Sequence, residues 1–387
     1  MNSVCTTPKP STRVASLQPS ATVEMTERVR QARASGRKII GLSSGDPALK
    51  TDDRIVAAAL RAMERGETHY SNPAGQIELR AAIARRERAR CGVQYNADDI
   101  LITPGGKFAL LAALMGVIEP GDEVIVLEPG WVSYGPCVRL CGGVPITLPT
   151  LDRLDLDGVR SALNRRSKAI ILNSPVNPTG RILSAGELRE TVALAQQHGM
   201  WILFDQVYAD LTYGKTVAFP QAMDGGRDCT LVIDSLSKTF GMTGWRLGYV
   251  ALPSPLAKPV LKFLQHSIYC VPQFIQAAGV EALSLHDELA VHYRDIFGRR
   301  MIHAARELSK VDGIRCEMSD GTFYLFPQIA GDDVATARLW LDAIDVATMP
   351  GSAFGRSGAG HLRLSLTCSE AELDEALNRI AQTGIVR

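Results

Sequence analysis

The sequence predicts an α/β protein: a mainly parallel seven-stranded sheet sandwiched by helices, with a smaller α/β domain beside it. Three observations carry this expectation. From residue 98 to 252, short β-branched runs alternate with helical stretches, the pattern of a parallel sheet covered on both faces. After Pro255 the pattern changes to long helices around a small αβ segment. A chain of 387 residues is also long enough for two domains.

The elements follow in order. Residues 1–20 are rich in Ser, Thr and Pro, with Arg13 and no acid, and read as an N-terminal arm. They lack the apolar stretch of a secretory signal, and an organelle transit peptide is the alternative reading. A helical pattern over 23–35 stops at Gly36, and a short apolar stretch, 38–42, runs into the turn Ser44-Gly45-Asp46-Pro47. Helices are predicted over 53–65, ended by Gly66, and over 77–90, ended near Gly92.

Strands are predicted at 100–103, 123–127, 144–148, 169–173, 201–205, 230–234 and 247–252. Helices at 108–118 and 185–198 lie between them. The second opens with Ser184-x-x-Glu187, a capping box in which each side chain satisfies an orphan backbone N–H of the first turn. Beyond these come a helix over 288–311, strands at 322–326 and 362–366, and a last helix capped by Ser369-x-x-Glu372 and ending before Gly384. The resulting division is an arm (1–20), a small domain (21–46 and 285–387) and a large domain (47–284), with the helix over 23–35 crossing back to the small domain.

Composition narrows the function. Hydrophobic residues make up 46% and charged residues 21%, ordinary for a globular protein, and the formal net charge of +1 points to no polyanion partner. The pairs Arg85-Arg86, Arg165-Arg166 and Arg299-Arg300 fall in segments that read as helices and are taken as solvated faces, with no nucleic-acid partner. Eight scattered cysteines without a C-x-x-C pair argue against a disulfide framework or zinc site and fit a reducing cytoplasm. The histidines show no metal-ligand spacing, so no metal is expected. No apolar run reaches the roughly 18–20 residues of a membrane span.

In an open parallel sheet, ligands bind beyond the carboxyl ends of the strands. The strand at 169–173 runs there into Ser174-Pro175-Val176-Asn177-Pro178-Thr179-Gly180, which presents Asn177. The strand at 201–205 ends at Asp205, closely followed by Tyr208, and that at 230–234 runs into Ser235-Leu236-Ser237-Lys238. The strand at 100–103 ends in Pro104-Gly105-Gly106 before a helix, where free N–H groups and the helix dipole favour a phosphate. One edge thus gathers an amine, a carboxylate, a phenol, an amide, two hydroxyls and an anion cradle. The glycine turn lacks both G-x-G-x-x-G and G-x-x-x-x-G-K-[ST], which argues against a nucleotide site.

The run Ser235-Leu236-Ser237-Lys238-Thr239-Phe240-Gly241-Met242-Thr243-Gly244-Trp245-Arg246-Leu247-Gly248-Tyr249 resembles the Schiff-base motif of class I/II (fold type I) aminotransferases. Asn177-Pro178-x-Gly180, Asp205-x-x-Tyr208 and Arg363-Leu364-Ser365 resemble the same family in the right order. The resemblance runs from Arg13 to the end of the chain and is nearest to bacterial aspartate aminotransferases.

The resemblance implies pyridoxal 5'-phosphate as cofactor, held as a Schiff base by Lys238, which would also shuttle the substrate proton. Asp205 would pair with the ring N–H and keep the ring an electron sink, while Asn177 and Tyr208 would bond its phenolic oxygen. Ser235, Ser237 and Arg246, with backbone N–H groups of Gly105, Gly106 and Lys107, would hold the phosphate. Trp131, in Pro129-Gly130-Trp131-Val132-Ser133-Tyr134, would stack on the ring. Tyr70 would reach the phosphate of a neighbouring subunit, which implies a homodimer.

Arg363 would clamp the substrate α-carboxylate, helped by the backbone at Gly45, with Asn177 and Trp131 bordering the substrate. Lys107 matches a lysine that pairs with a distal carboxylate, so the expected substrates are aspartate or glutamate and a 2-oxo acid. A β-lyase, or another enzyme working through a Cα carbanion, is the alternative on the same fold. Two departures from the family pattern stand out: Gln206 where a glutamate often follows the aspartate, and Ala48-Leu49-Lys50 where an aromatic-bearing stretch is usual.

Overall fold

The computed structural model describes residues 8–385. Its large sheet has seven strands: β1 (Ile100–Thr103), β2 (Glu123–Glu128), β3 (Val144–Pro149), β4 (Ser167–Asn173), β5 (Trp201–Asp205), β6 (Thr230–Ser235) and β7 (Gly248–Ala251). They lie in the order β1-β7-β6-β5-β4-β2-β3, and only β7 runs antiparallel to its neighbours.

These strands read as continuous apolar runs because both faces are covered. Alternate residues go to opposite sides. Leu203 and Ile233 pack with the helices Gly106–Val117 and Ser254–Ser267, whereas Ile202, Phe204 and Val232 join the clusters on the other face. Helices Asp53–Glu64, Ile77–Cys91 and Gln273–Ser284 cover part of that second face through Ile55, Leu79, Ile83 and Ala278. Helix Ala185–His198 opens with the expected capping box: Glu187 N–H donates to Ser184 Oγ (3.2 Å) and Ser184 N–H donates to Glu187 Oε2 (2.7 Å).

A second apolar cluster gathers Ile40, Leu42, Met301, Leu308, Trp340, Leu364 and Leu377. Around it, Ile40–Gly41 pairs in parallel with Val346–Ala347, and Leu362–Ser365 pairs antiparallel with Tyr324–Leu325 and Met349–Pro350. Met25 and Val29 of helix Ala21–Ala34 pack against Leu341 and Ala347. The strand predicted at 322–326 shrinks to two residues, and no periodicity announces the other two-residue strands. The helix expected from 288 begins at His286 and runs to Leu308.

The arginine pairs need correction. Arg86 and Arg300 are buried: Arg86 pairs with Asp210 and lies over Phe240, and Arg300 donates to the Leu366 carbonyl (3.2 Å). Arg165-Arg166 falls after the helix Leu156–Ala162, where Arg166 pairs with Glu123 (2.5 Å). Among the described residues no helix is long and apolar enough to cross a membrane, and the seven of the eight cysteines that fall there are free.

Candidate active site

Strand register brings the chemistry together. Asn173 sits opposite Asp205, Asp205 opposite Ile233, and Gly248 lies between Ser235 and Thr103. These ends open on one cavity of about 330 Å³. Gly45, Gly106, Lys107, Trp131, Asn177, Asp205, Tyr208, Ser235, Ser237, Lys238, Arg246 and Arg363 line it. Gly105 sits just behind it, and Tyr70 points elsewhere, 83% exposed and edge-on to Tyr269 at 5.0 Å.

Lys238 follows β6. Its Nζ donates to the Gly45 carbonyl (2.6 Å) and lies 5.8 Å from the Phe323 ring centre. Burial pulls its pKa down to about 8; Asp46 opposes this, and the Arg363 and Arg246 cations add to it. At neutral pH roughly a tenth of the amine is therefore uncharged and nucleophilic. Gly45 has no room for a side chain, because a Cβ there would lie 1.9 Å from the Tyr324 hydroxyl.

Asp205 ends β5 on the cavity face. Its Oδ2 accepts from the Tyr134 hydroxyl (2.7 Å) and its Oδ1 from the Val207 N–H (3.2 Å). Burial raises its pKa to about 6 against those two hydrogen bonds, with the Asp234 charge pushing the same way as burial. A cationic N–H reaching Asp205 would reverse the shift, since an opposite charge favours the carboxylate.

At the other end, helix Gly106–Val117 starts from Gly105, whose φ of 87° favours glycine. A Cβ on Gly105 would lie 2.5 Å from Arg246 Nη2, and one on Gly248 would lie 2.6 Å from the Gly105 carbonyl carbon. These glycines let the turn, the helix N-terminus and the guanidinium close together beside Ser235 and Ser237. Arg246 donates only to the carbonyls of Thr243 (2.9 Å) and Pro104 (3.4 Å) and has no carboxylate partner among the described residues. Such a cradle suits a phosphate.

Arg363 is 2% exposed, on Leu362–Ser365. Its Nη1 donates to Asn177 Oδ1 (3.1 Å) and its Nη2 to the Ser43 carbonyl (2.5 Å), while Nε is buried without a partner. Tyr324 and Phe354 flank the guanidinium at 4.3 and 4.7 Å. A buried cation with neutral partners and one orphaned donor calls for an anion from a ligand. Lys107 is exposed, with its Nζ 5.2 Å from the Trp131 ring centre.

Several residues here escaped sequence reasoning. Tyr134 holds Asp205; Tyr324 shares a hydroxyl contact with Tyr208 (3.1 Å); Asn173 donates to the Asp205 carbonyl (2.9 Å). Thr22 and Thr26, from helix Ala21–Ala34, reach the same cavity. Two of them carried a signal: Tyr134, three residues after Trp131, and Asn173, the polar end of the strand predicted at 169–173. In one of the two departures, Lys50 pairs with Asp53 (2.5 Å) at the surface and the Ala48 N–H donates to the Thr367 carbonyl (3.1 Å).

The family model for aminotransferase class I and II matches residues 37–380. A probable aspartate/prephenate aminotransferase of Aquifex aeolicus is 36% identical, covering 96% of this chain and 97% of that protein. The aspartate aminotransferase of Geobacillus stearothermophilus is 35% identical over 95% of this chain and 97% of its own length. Among solved structures, Thermus thermophilus aspartate aminotransferase with maleate aligns with a TM-score of 0.92 at 34% identity, covering 97% of this chain and 100% of that one. An aromatic aminotransferase from Pyrococcus horikoshii gives 0.85 at 32% identity, covering 92% of this chain and 98% of that one. These matches agree with the buried lysine, carboxylate and arginine around one cavity: the chain belongs to the class I and II aminotransferases.

Proposed function

We propose that this aminotransferase binds pyridoxal 5'-phosphate through Lys238 and transfers the amino group of aspartate or glutamate to a 2-oxo acid. The observation that carries the reading is a single cavity lined by an amine with its pKa lowered, a buried carboxylate and a buried arginine without an anionic partner. The orphaned Arg363 Nε and the glycine cradle at Gly105 fit the cofactor with a substrate carboxylate beside it. When bound, the cofactor supplies a carbonyl that takes the amino group and a ring that withdraws electrons.

The protein's part is to hold, orient and move protons. Asp205 keeps a negative charge at the ring nitrogen, and Tyr134 and the Val207 N–H stabilise that charge. Ser235, Ser237, Arg246 and the N–H groups of Gly105, Gly106 and Lys107 hold the phosphate. Asn177 and Tyr208, which line the cavity, would bond the ring oxygen, and Trp131 would cover a ring face. Arg363 grips the α-carboxylate, placing the Cα–H within reach of the Lys238 amine, which carries the proton to and from Cα.

Lys107 is read as the partner of a second carboxylate, supported by its place on the cavity wall and by the four-carbon dicarboxylate maleate in the Thermus thermophilus structure. Lys107→Ala is expected to raise KM for aspartate by roughly tenfold, the worth of one charged hydrogen bond, and to leave KM for alanine nearly unchanged. Steady-state kinetics with both donors checks this, and equal effects would remove the dicarboxylic assignment.

The chain is read as an arm (1–20), a small domain (21–46 and 285–387) and a large domain (47–284), with residues 1–7 of the arm outside the described region. The exposure of Tyr70 supports a homodimer in which it serves the neighbouring site. The free cysteines support a reducing cytoplasm.

A further inference from the structure

Gln206, fully buried, follows Asp205 and lies on the opposite face of the sheet, away from the cavity. All its amide groups are engaged. Nε2 donates to Glu87 Oε1 (2.8 Å) and, more weakly, to Asp234 Oδ2 (3.3 Å), and Oε1 accepts from Gln221 Nε2 (3.1 Å). Its backbone N–H donates to the Ile233 carbonyl (3.0 Å), extending the β5–β6 pairing one step past Asp205.

The charged and titratable groups around it come from several elements. Helix Ile77–Cys91 supplies Arg86, Glu87 and Arg90; the turn after β5 supplies Asp210; β6 supplies Asp234; β7 supplies Tyr249; and His286 reaches Asp210 (3.2 Å). Arg90 bridges Asp234 (2.8 Å), Asp210 (3.1 Å) and Glu87 (3.2 Å), and Arg86 pairs with Asp210. Burial raises the Glu87 pKa, while Arg90, the Tyr249 hydroxyl and Arg86 pull it down.

This cluster grips the segments that deliver the site. Asp234 Oδ1 accepts from the Ser235 N–H (2.6 Å), and Asp210 Oδ2 accepts from the Thr239 hydroxyl (2.9 Å), one residue past Lys238. The Asp234 charge is also felt by Asp205 through the sheet. A carboxylate in place of the Gln206 amide would remove both donors and set a third acid against Glu87 and Asp234.

We propose that Gln206 is a positioning residue for Asp205: its neutral amide ties Glu87 to Asp234 behind the sheet and keeps further negative charge away from the carboxylate that meets the cofactor. This rests on reading Asp205 as the partner of the ring nitrogen. The isosteric Gln206→Glu raises the tendency of Asp205 to take up a proton.

The test uses the full chain and pyridoxal phosphate, measuring the cofactor dissociation constant from pH 5 to 9, the pH titration of the loaded enzyme's visible absorbance, and the melting temperature. Gln206→Glu is expected to move the acid limb of cofactor affinity up by about one pH unit, or ~tenfold weaker binding on that limb. Adding Glu87→Gln, which restores an amide opposite a carboxylate, should bring affinity back to within about threefold of wild type.

Wild-type affinity and titration in Gln206→Glu would overturn the proposal, as would a loss that Glu87→Gln does not recover. Should Gln206→Glu fail to fold, Gln206→Met, which lacks both donors, is expected to bind the cofactor more weakly, and wild-type affinity there overturns it equally. Asp205→Asn separates the two levels. If it leaves cofactor affinity and absorbance unchanged, the site reading itself fails; if it weakens binding while Gln206→Glu does not, only the role of Gln206 fails.

Discussion

Lys238→Ala is expected to lower kcat by at least ~10⁴-fold, because it removes both the nucleophile and the proton carrier, and general acid–base catalysis alone contributes up to about that factor. The variant should still bind pyridoxal phosphate, since the cradle at Gly105, Ser235 and Arg246 and the Asp205 carboxylate are untouched. Single-turnover kinetics with aspartate checks the first point and equilibrium dialysis the second.

The same lysine sets a pH dependence. Burial lowers its pKa from 10.5 to about 8, and the neutral amine is the reactive form. Capture of the cofactor by the cofactor-free wild type is therefore expected to accelerate as pH rises toward 8 and to level off above it. A rate that keeps climbing to pH 10 would contradict the lowered value.

Arg363→Ala is expected to cut kcat/KM by roughly 10²–10³-fold, about 3–4 kcal/mol, which lies within the range lost when one member of a buried charged pair is truncated. The loss should be similar for aspartate, glutamate and alanine, because each carries the α-carboxylate. Arg363→Lys should recover only part of it: the guanidinium fork bonds Asn177 and Ser43 and keeps Nε for a ligand, and an ammonium cannot match that geometry. A loss confined to dicarboxylic donors would assign Arg363 to the wrong carboxylate.

The sequence made the core of the site legible for a physical reason. Parallel strands buried on both faces must be written as β-branched runs, and whatever polar residue ends such a run stands at the ligand edge. Asn173, Asp205 and Ser235 end β4, β5 and β6, and the residues just beyond them are the ones singled out. Capping boxes at Ser184 and Ser369 were equally readable, since they depend on residues three apart.

What stayed hidden depends on distant partners. Tyr134 meets Asp205 across 71 residues and Tyr208 meets Tyr324 across 116, with no local pattern to announce either contact. Arg86 resembles any surface helix arginine until Asp210, 124 residues away, is placed against it. Gln206 is the same kind of case, an apparent irregularity in a motif that gains a role only once Glu87, Asp234 and Gln221 surround it. Two-residue strands such as Val346–Ala347 are too short to carry a period.

The Lys238 amine is the group proposed to bond the cofactor. Wild-type chain saturated with pyridoxal phosphate, reduced with borohydride and digested, should yield one modified peptide with the added mass on Lys238. An unmodified Lys238, or a label on Lys107 or another lysine in its place, would contradict it.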